Sequence, residues 1–173
     1  RSADVSTRPA SAMLCPMDAI RIVAISGSLQ ARSSNLTLVD SLPSLADPDV
    51  EVTRSDGLRH LPYFDLDANE APPSEVREWR EVLRTADGVF IATPEYGHSL
   101  PGVLKNGIDW IFGSGELFQK PVAITAASAG PGRGRRGLAA LHQTLRALDA
   151  LVLGGEPIAR GPGADDATRA LLR

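Results

Sequence analysis

Short apolar runs alternate along the chain with stretches in which apolar side chains recur every three or four residues. Residues 20–26, Ile-Arg-Ile-Val-Ala-Ile-Ser, predict a first strand, followed by a loop of small residues over 27–34 and a helix over 35–46. Residues 50–53 alternate apolar and polar, like a strand with one face less covered. Acidic residues and prolines over 55–73 argue against regular structure there, and loops of that length are often functional. A helix is expected over 75–85, with Val76, Trp79, Val82 and Leu83 at helical spacing and Pro73-Ser74 at its entrance. Residues 88–92, Gly-Val-Phe-Ile-Ala, are continuously apolar, which suits a central strand covered on both faces. Pro94 ends that strand, and Pro101 sits where a first helical turn tolerates a missing N–H. At about 100° per residue, Leu104, Ile108, Ile111 and Phe112 share one side of the next helix, beside Val103, Gly107 and Trp110. That apolar arc of roughly 200° is wider than one sheet face needs, so the helix is either deeply packed or partly turned to a second subunit. Residues 121–126 predict a fourth strand, then a glycine- and arginine-rich loop to 137 and a helix over 138–148 with Leu138, Leu141, Leu145 and Leu148 in register. A short fifth strand over 150–153 stops at Gly154-Gly155, and a last helix begins near Asp165 and runs to 173.

Strand and helix alternating in this way imply an α/β fold, a parallel sheet with helices on both faces, because parallel neighbours need crossover connections. With five strands and no second βαβαβ half, the expected architecture is a flavodoxin-like three-layer sandwich with strand order 2-1-3-4-5. In that order the winding reverses between the first and third strands, so the loops after them flank the crevice where ligands bind.

Composition adds limits. A chain of 173 residues suits one domain, here expected over 19–173, with residues 1–18 a flexible N-terminal extension. Its formal net charge of -3 gives no general attraction for nucleic acid. The single Cys15 has no internal partner, and no apolar run approaches a membrane span or a signal sequence, so a cytoplasmic protein with no membrane partner is expected. No cluster of His, Cys and acidic residues has metal spacing. Asp165-Asp166 read as ordinary charges at a helix N-terminus.

Candidate chemistry gathers in three loops. The first, Ser26-Gly27-Ser28-Leu29-Gln30-Ala31-Arg32-Ser33-Ser34-Asn35, offers hydroxyls, an amide, a cation and backbone N–H groups at a helix N-terminus, a setting for phosphate. It lacks the Lys of a Walker loop, which disfavours a nucleotide triphosphatase; its plain alternative is a polar loop in which Ser34 or Asn35 caps the helix. The second, Glu95-Tyr96-Gly97-His98-Ser99, supplies an aromatic plate, a permissive glycine and polar tips on which a flat ligand can lie. The third, 128–137, carries almost no bulk beyond Arg133, Arg135 and Arg136, so backbone can approach a ring closely. Gly132 to Gly137 spells G-x-G-x-x-G with Glu156 near the distance of a ribose-binding acid, but a dinucleotide site uses the first βα turn. Trp79 is expected in the core and Trp110 in the core or a dimer contact, while Tyr63-Phe64 either roofs the substrate side or pins its loop.

These residues resemble the NADPH-dependent FMN reductases of flavodoxin-like fold, which include quinone, azo-dye and chromate reductases. Two motifs carry the resemblance, which spans about residues 20–148. Gly27, Ser28, Ser33 and Asn35 match the family's Gly-Ser-x-Arg-x-x-Ser-x-Asn phosphate loop, and Pro94-Glu95-Tyr96 with 101–110 matches its Pro-Glu-Tyr-Asn loop and the Pro-Gly-x-Leu-Lys-Asn-Ala-Ile-Asp-Trp that follows. Gln30 stands where the family has Arg, Gly97 where it has Asn, and Gly107 where it has Ala. The resemblance implies FMN and NADPH as cofactors. Ser28, Gln30, Arg32, Ser33 and Asn35 would lie on the phosphate side, Pro94, Glu95, Tyr96 and Gly97 along the isoalloxazine, and Ser128 and Gly130 at its far edge. Arg133, Arg135 and Arg136 would either meet the 2′-phosphate of NADPH or form a solvated, mobile basic loop. No side chain is expected to be catalytic, because the flavin carries the redox chemistry, and His98 is expected at a surface or interface. The implied reaction is ping-pong hydride transfer to a small-molecule electron acceptor (a quinone, azo compound, flavin or metal oxyanion) by a homodimer or homotetramer. A flavodoxin-type electron carrier and a non-catalytic flavodoxin-like binding module are the competing readings.

Overall fold

The computed structural model describes residues 19–128, 130, 132–159 and 164–173. Along the chain run β1 (Ile20–Ser26), α1 (Ser34–Leu45), β2 (Val50–Ser55), α2 (Ser74–Thr85), β3 (Gly88–Ala92), α3 (Gly102–Asp109), β4 (Pro121–Thr125), β5 (Ala127–Ser128), α4 (Arg135–Arg146), β6 (Leu151–Gly154), β7 (Ile158–Ala159) and α5 (Ala164–Ala170). The main sheet is parallel throughout in the order β2-β1-β3-β4-β6, which is the 2-1-3-4-5 order the alternating pattern predicts. Residues 1–18, expected as an extension, lie outside the described residues.

The continuous apolar run of β3 is explained by its two covered faces. Val89 and Ile91 point into a core built with α2, α3 and α4, whereas Phe90 and Ala92 point into a second core with Val39 and Leu42 of α1. All five residues of β3 are buried, as a central strand between two helical layers requires. Edge strand β2 instead exposes Glu51, Thr53 and Arg54, and it runs two residues beyond its expected end. Arg54 in that extension pairs with Asp40 at 2.6 Å and Asp56 at 2.9 Å, charge on an edge that deters further strand pairing.

α3 is deeply packed. Leu104, Ile108, Trp110 and Ile111 are buried, and only Phe112 of the expected apolar arc stays 57% exposed, because the helix ends at Asp109 and the chain turns outward. Gly107 lies under Trp79, whose indole N–H donates to the Gly107 carbonyl at 2.9 Å. A Cβ there would stand 2.3 Å from Leu58 Cδ2, so glycine replaces the family's alanine where Leu58 and Trp79 close onto the helix. The long loop is pinned to the same helix. Phe64 N–H donates to Asn106 Oδ1 at 2.8 Å, Asn106 Nδ2 and the Trp110 indole both donate to the Pro62 carbonyl at 2.9 Å, and the Phe64 ring meets Trp110 edge-on at 5.1 Å. Tyr63 next to it is 93% exposed. The loop also holds 3₁₀ turns at Gly57–Arg59 and Asp67–Asn69, against the expectation of no regular structure.

α4 begins at Arg135 rather than 138, and α1 is capped by Ser33 rather than Ser34 or Asn35. A two-stranded pair, β5 with β7, follows β4 and has no counterpart in the hydrophobic pattern, since each strand is two residues long.

Candidate functional site

The register of the sheet fixes the site. Ser26 pairs with Ala92, and one residue further the Gly27 N–H donates to the Ala92 carbonyl at 2.8 Å, so the loops after β1 and β3 leave the sheet side by side. Gly27 is where they touch, for a Cβ there would lie 2.2 Å from Thr93 Oγ1. The loop after β4 joins them, because Asn35 Oδ1 accepts the Ala127 N–H at 2.8 Å and Thr93 N–H donates to the Thr125 carbonyl at 2.9 Å. The three loops singled out in the sequence therefore meet at one end of the sheet, at the switch between β1 and β3.

The first loop is shaped by its own hydroxyls. Ser26 Oγ accepts the Ser28 N–H at 3.3 Å, the buried Ser28 Oγ accepts the Gln30 N–H at 3.2 Å, and the Gln30 carbonyl accepts the Ser33 N–H at 3.1 Å. Ser33, extended at φ -76°, caps α1 by accepting the Asn35 N–H at 3.2 Å. These turns leave the N–H groups of Leu29, Ala31 and Arg32 without an acceptor among the described residues, at the start of a helix whose first turn holds no acid. The Gln30 and Arg32 side chains are exposed. Asn35, read from the sequence as a phosphate-side residue, turns its buried side chain to Ala127 and ties this loop to the third. Arg59 was not signalled by sequence: it lies in the long acidic loop, yet its Nη2 donates to the Leu29 carbonyl at 2.7 Å and brings a guanidinium to the first loop.

In the second loop Tyr96 and Ser99 exchange both backbone hydrogen bonds at 3.0 Å, which closes a two-residue turn. Its central residues, Gly97 at φ 57° and His98 at φ 63°, are both left-handed. Glycine and asparagine are the residues that tolerate such a φ, so Gly97 keeps the turn that the family's asparagine would make. Tyr96 is 54% exposed on this turn.

Glu95 turns its carboxylate to the first turn of α4 and to His98. Its Oε2 accepts the N–H groups of Arg136 at 2.9 Å and Gly137 at 3.2 Å, in the first turn of α4, and its Oε1 lies 3.1 Å from His98 Nδ1. The His98 hydrogen bond, with those two N–H groups, holds the Glu95 carboxyl below the usual carboxylate range. The N-terminus of α4 has no side-chain cap of its own, since Gly134 occupies that place at φ 92°; the anion that its dipole favours arrives from another loop. Gly137 admits this contact, because a Cβ there would crowd Glu95 Cα and the Ser99 carbonyl, each at 3.1 Å.

In the third loop, a Cβ added at Gly130 or Gly132 would meet nothing within 4 Å among the described residues. Ser128 lies in β5, paired with Ala159. Arg133 and Arg136 present exposed side chains, whereas Arg135 pairs with Glu156 at 3.1 Å on the surface. Glu156, the acid that completes the G-x-G-x-x-G pattern, is thus turned to an arginine, and the pattern's last glycine is inside α4 against Glu95. Among the described residues no group of His, Cys, Asp and Glu is arranged to hold a metal ion, and no helix is long and apolar enough to cross a membrane.

Residues 20–163 match the sequence profile described as NADPH-dependent FMN reductase. The chain is 38% identical over 138 residues to a quinone reductase of Escherichia coli, covering 78% of this chain and 73% of that protein. It is 39% identical over 136 residues to an NAD(P)H-dependent FMN reductase of Pseudomonas aeruginosa, covering 76% and 72%. Among solved structures, the flavoenzyme NAD(P)H:(acceptor) oxidoreductase of Paracoccus denitrificans superposes with a TM-score of 0.71 at 28% identity, over 78% of this chain and 75% of that one.

Proposed function

The chain belongs to the NADPH-dependent FMN reductase family, and from that premise we propose that it holds FMN between the loops that follow β1, β3 and β4 and reduces quinones or related acceptors with NAD(P)H. The observation that carries the reading is the contact of Gly27 with Thr93, which brings a phosphate-type loop and the Tyr96 turn to one crevice.

The residues present fit FMN. A phosphate dianion needs donors and positive potential without buried acid. The N–H groups of Leu29, Ala31 and Arg32, the hydroxyls of Ser28 and Ser33, the dipole of α1 and the Arg32 guanidinium supply that set. Arg59, held on the Leu29 carbonyl, adds positive charge to a loop in which Gln30 replaces the family's arginine. A flat ring needs open glycine backbone beside an aromatic surface, which Gly97, Gly130 and Gly132 provide with Tyr96.

Bound FMN supplies two-electron chemistry, accepting hydride from a nicotinamide and passing the electrons on in a second half-reaction. The chain's part is to bind and orient. Loop one anchors the phosphate end, the Tyr96 turn supports the ring, and the open side of the third loop admits the nicotinamide and then the acceptor. Arg133 and Arg136, exposed at the rim, are placed to meet a 2′-phosphate, whereas Arg135 is shared with Glu156. A homodimer or homotetramer is part of the same reading. The apolar arc of α3 is used inside the subunit, so the surface offered to a partner is Phe112 and Phe118, 57% and 63% exposed, with Tyr63. Light scattering that gives a monomer mass would remove this part.

The test is steady-state turnover of purified, FMN-loaded protein with NADPH and a benzoquinone and no reductase partner. Parallel reciprocal plots are expected. Absence of turnover would favour an electron carrier or a binding module instead.

A further inference from the structure

Two helix N-termini face the loop cluster, and the chain treats them differently. The start of α1 carries no acid in its first turn, and the N–H groups of Leu29, Ala31 and Arg32 just before it have no acceptor among the described residues, whereas the start of α4 is already filled by the carboxylate of Glu95. The filling residue comes from the loop that bears Tyr96, forty-one positions away in sequence, so the contact joins two loops rather than finishing one helix. Three further features serve the same contact. Gly137 has no side chain where Glu95 approaches, Gly134 adopts φ 92° to start α4 without a cap of its own, and His98 accepts a left-handed φ of 63° while its ring rests on Glu95. A left-handed φ is unfavourable for a residue with a Cβ, so His98 is held there by its surroundings.

We propose that Glu95 is a positioning residue, whose carboxylate locks the Tyr96 turn to the first turn of α4 and so sets the width of the slot between the second and third loops. The proposal rests on the reading of that slot as the flavin site. Glu95 touches no reacting atom; it acts through the backbone of Tyr96-Gly97 on one side and of 132–137 on the other. Because the acceptor role belongs to oxygen, glutamine can keep the geometry with one oxygen on both N–H groups, whereas alanine opens the joint. A small free carboxylate can then enter the vacated place, drawn by the two N–H groups and the helix dipole.

The experiment uses the full chain as apoprotein and two readouts that need no turnover: FMN binding by fluorescence quenching, and amide exchange at Arg136 and Gly137. Glu95→Ala is expected to weaken FMN binding about tenfold and to speed exchange at both amides, the scale of one lost charge-assisted hydrogen bond. Glu95→Gln should stay within about threefold of wild type. Formate, but not chloride at equal ionic strength, should restore FMN affinity to the alanine variant, which loss of general stability would not produce. Tight FMN binding by wild type and alanine variant alike, with the two amides exposed, would overturn the positioning role and leave the flavin site standing. Equal weakening by glutamine and alanine with no recovery in formate would overturn it as well. Wild-type apoprotein that fails to bind FMN would overturn the site reading and this proposal together. If alanine prevents folding, seen by circular dichroism, the glutamine variant decides: slow amide exchange with FMN binding weakened about tenfold would overturn the proposal.

Discussion

Gly27→Ala probes the joint between the first two loops. The added methyl would stand 2.2 Å from Thr93 Oγ1, 2.7 Å from Thr93 Cβ and 3.2 Å from Leu104 Cδ2. Neither loop retreats freely: the Gly27 N–H is bonded to Ala92, the Thr93 N–H to Thr125, and Thr93 is 1% exposed. Restoring ordinary contact distances requires the loops to part by about 1 Å, and overpacking of this kind costs roughly 1–3 kcal/mol. In a domain of this size that lowers Tm by roughly 2–12 °C, at about 2–4 °C per kcal/mol. The same displacement moves Ser28 and the N–H groups behind it away from the position of the cofactor phosphate. Losing one charge-assisted hydrogen bond there weakens FMN binding about tenfold, which is close to 1.4 kcal/mol. Thermal melting and FMN fluorescence quenching read the two effects separately. Thr93→Ala removes the atom in closest conflict, so the double variant should recover part of both losses. A Gly27→Ala protein that melts and binds FMN like wild type, or a double variant showing no coupling, would refute the proposed loop contact.

Other changes follow from the same contacts. Asn35→Ala strands the Ala127 N–H against a buried site and should cost about 1–3 kcal/mol in urea denaturation, whereas Asn35→Asp, which keeps an acceptor, should cost less. At Gly97, φ 57°, asparagine should be tolerated within about 0.5 kcal/mol and alanine should cost about 1 kcal/mol by thermal melting; equal costs would contradict the left-handed turn. The Glu95 carboxyl has a depressed pKa in the folded chain, faced by His98 and the N–H groups of Arg136 and Gly137. Its contribution is therefore complete above the ordinary glutamate value, about 4.3, and is lost as pH falls through the lower folded value. The difference in Tm between wild type and Glu95→Gln should accordingly be constant at neutral pH and shrink below about pH 4.3; a difference that persists undiminished in acid would count against this contact.

The sheet order was legible because β3 and β4 are apolar on both faces and the helices between strands keep a 3.6-residue period, so burial alone dictates a central parallel sheet. The turn of the second loop was legible because a left-handed φ leaves a mark in residue type, as at Gly97, whereas the hydroxyl-rich start of α1 offered several caps and the structure uses Ser33 rather than Ser34 or Asn35. Contacts between distant segments left no such mark. Glu95 reads locally as one acid in a polar loop, and only the fold shows that it caps a helix whose own start, Gly134, offers no side chain. Arg59 is hidden for the same reason, since nothing near it in sequence points to Leu29. The start of α4 was misjudged because its first turn, Arg135-Arg136-Gly137, is polar and ends in glycine, a composition that resembles loop; the cap supplied from Glu95 makes it helix. Of the two roles open to Tyr63 and Phe64, the structure shows one: Phe64 pins its loop through Trp110 and Asn106, more than forty residues further on, while Tyr63 is exposed.

The central claim is that the crevice beside Gly27 and Tyr96 holds FMN and exposes it to a nicotinamide. The most direct measurement is the visible spectrum of FMN-loaded protein during anaerobic titration with NADPH, followed by a quinone. The account predicts that the flavin bands bleach to an end point near one equivalent of NADPH per bound flavin and return when the quinone is added. A protein that retains no FMN, or whose bound FMN stays oxidised in excess NADPH and NADH, would contradict it.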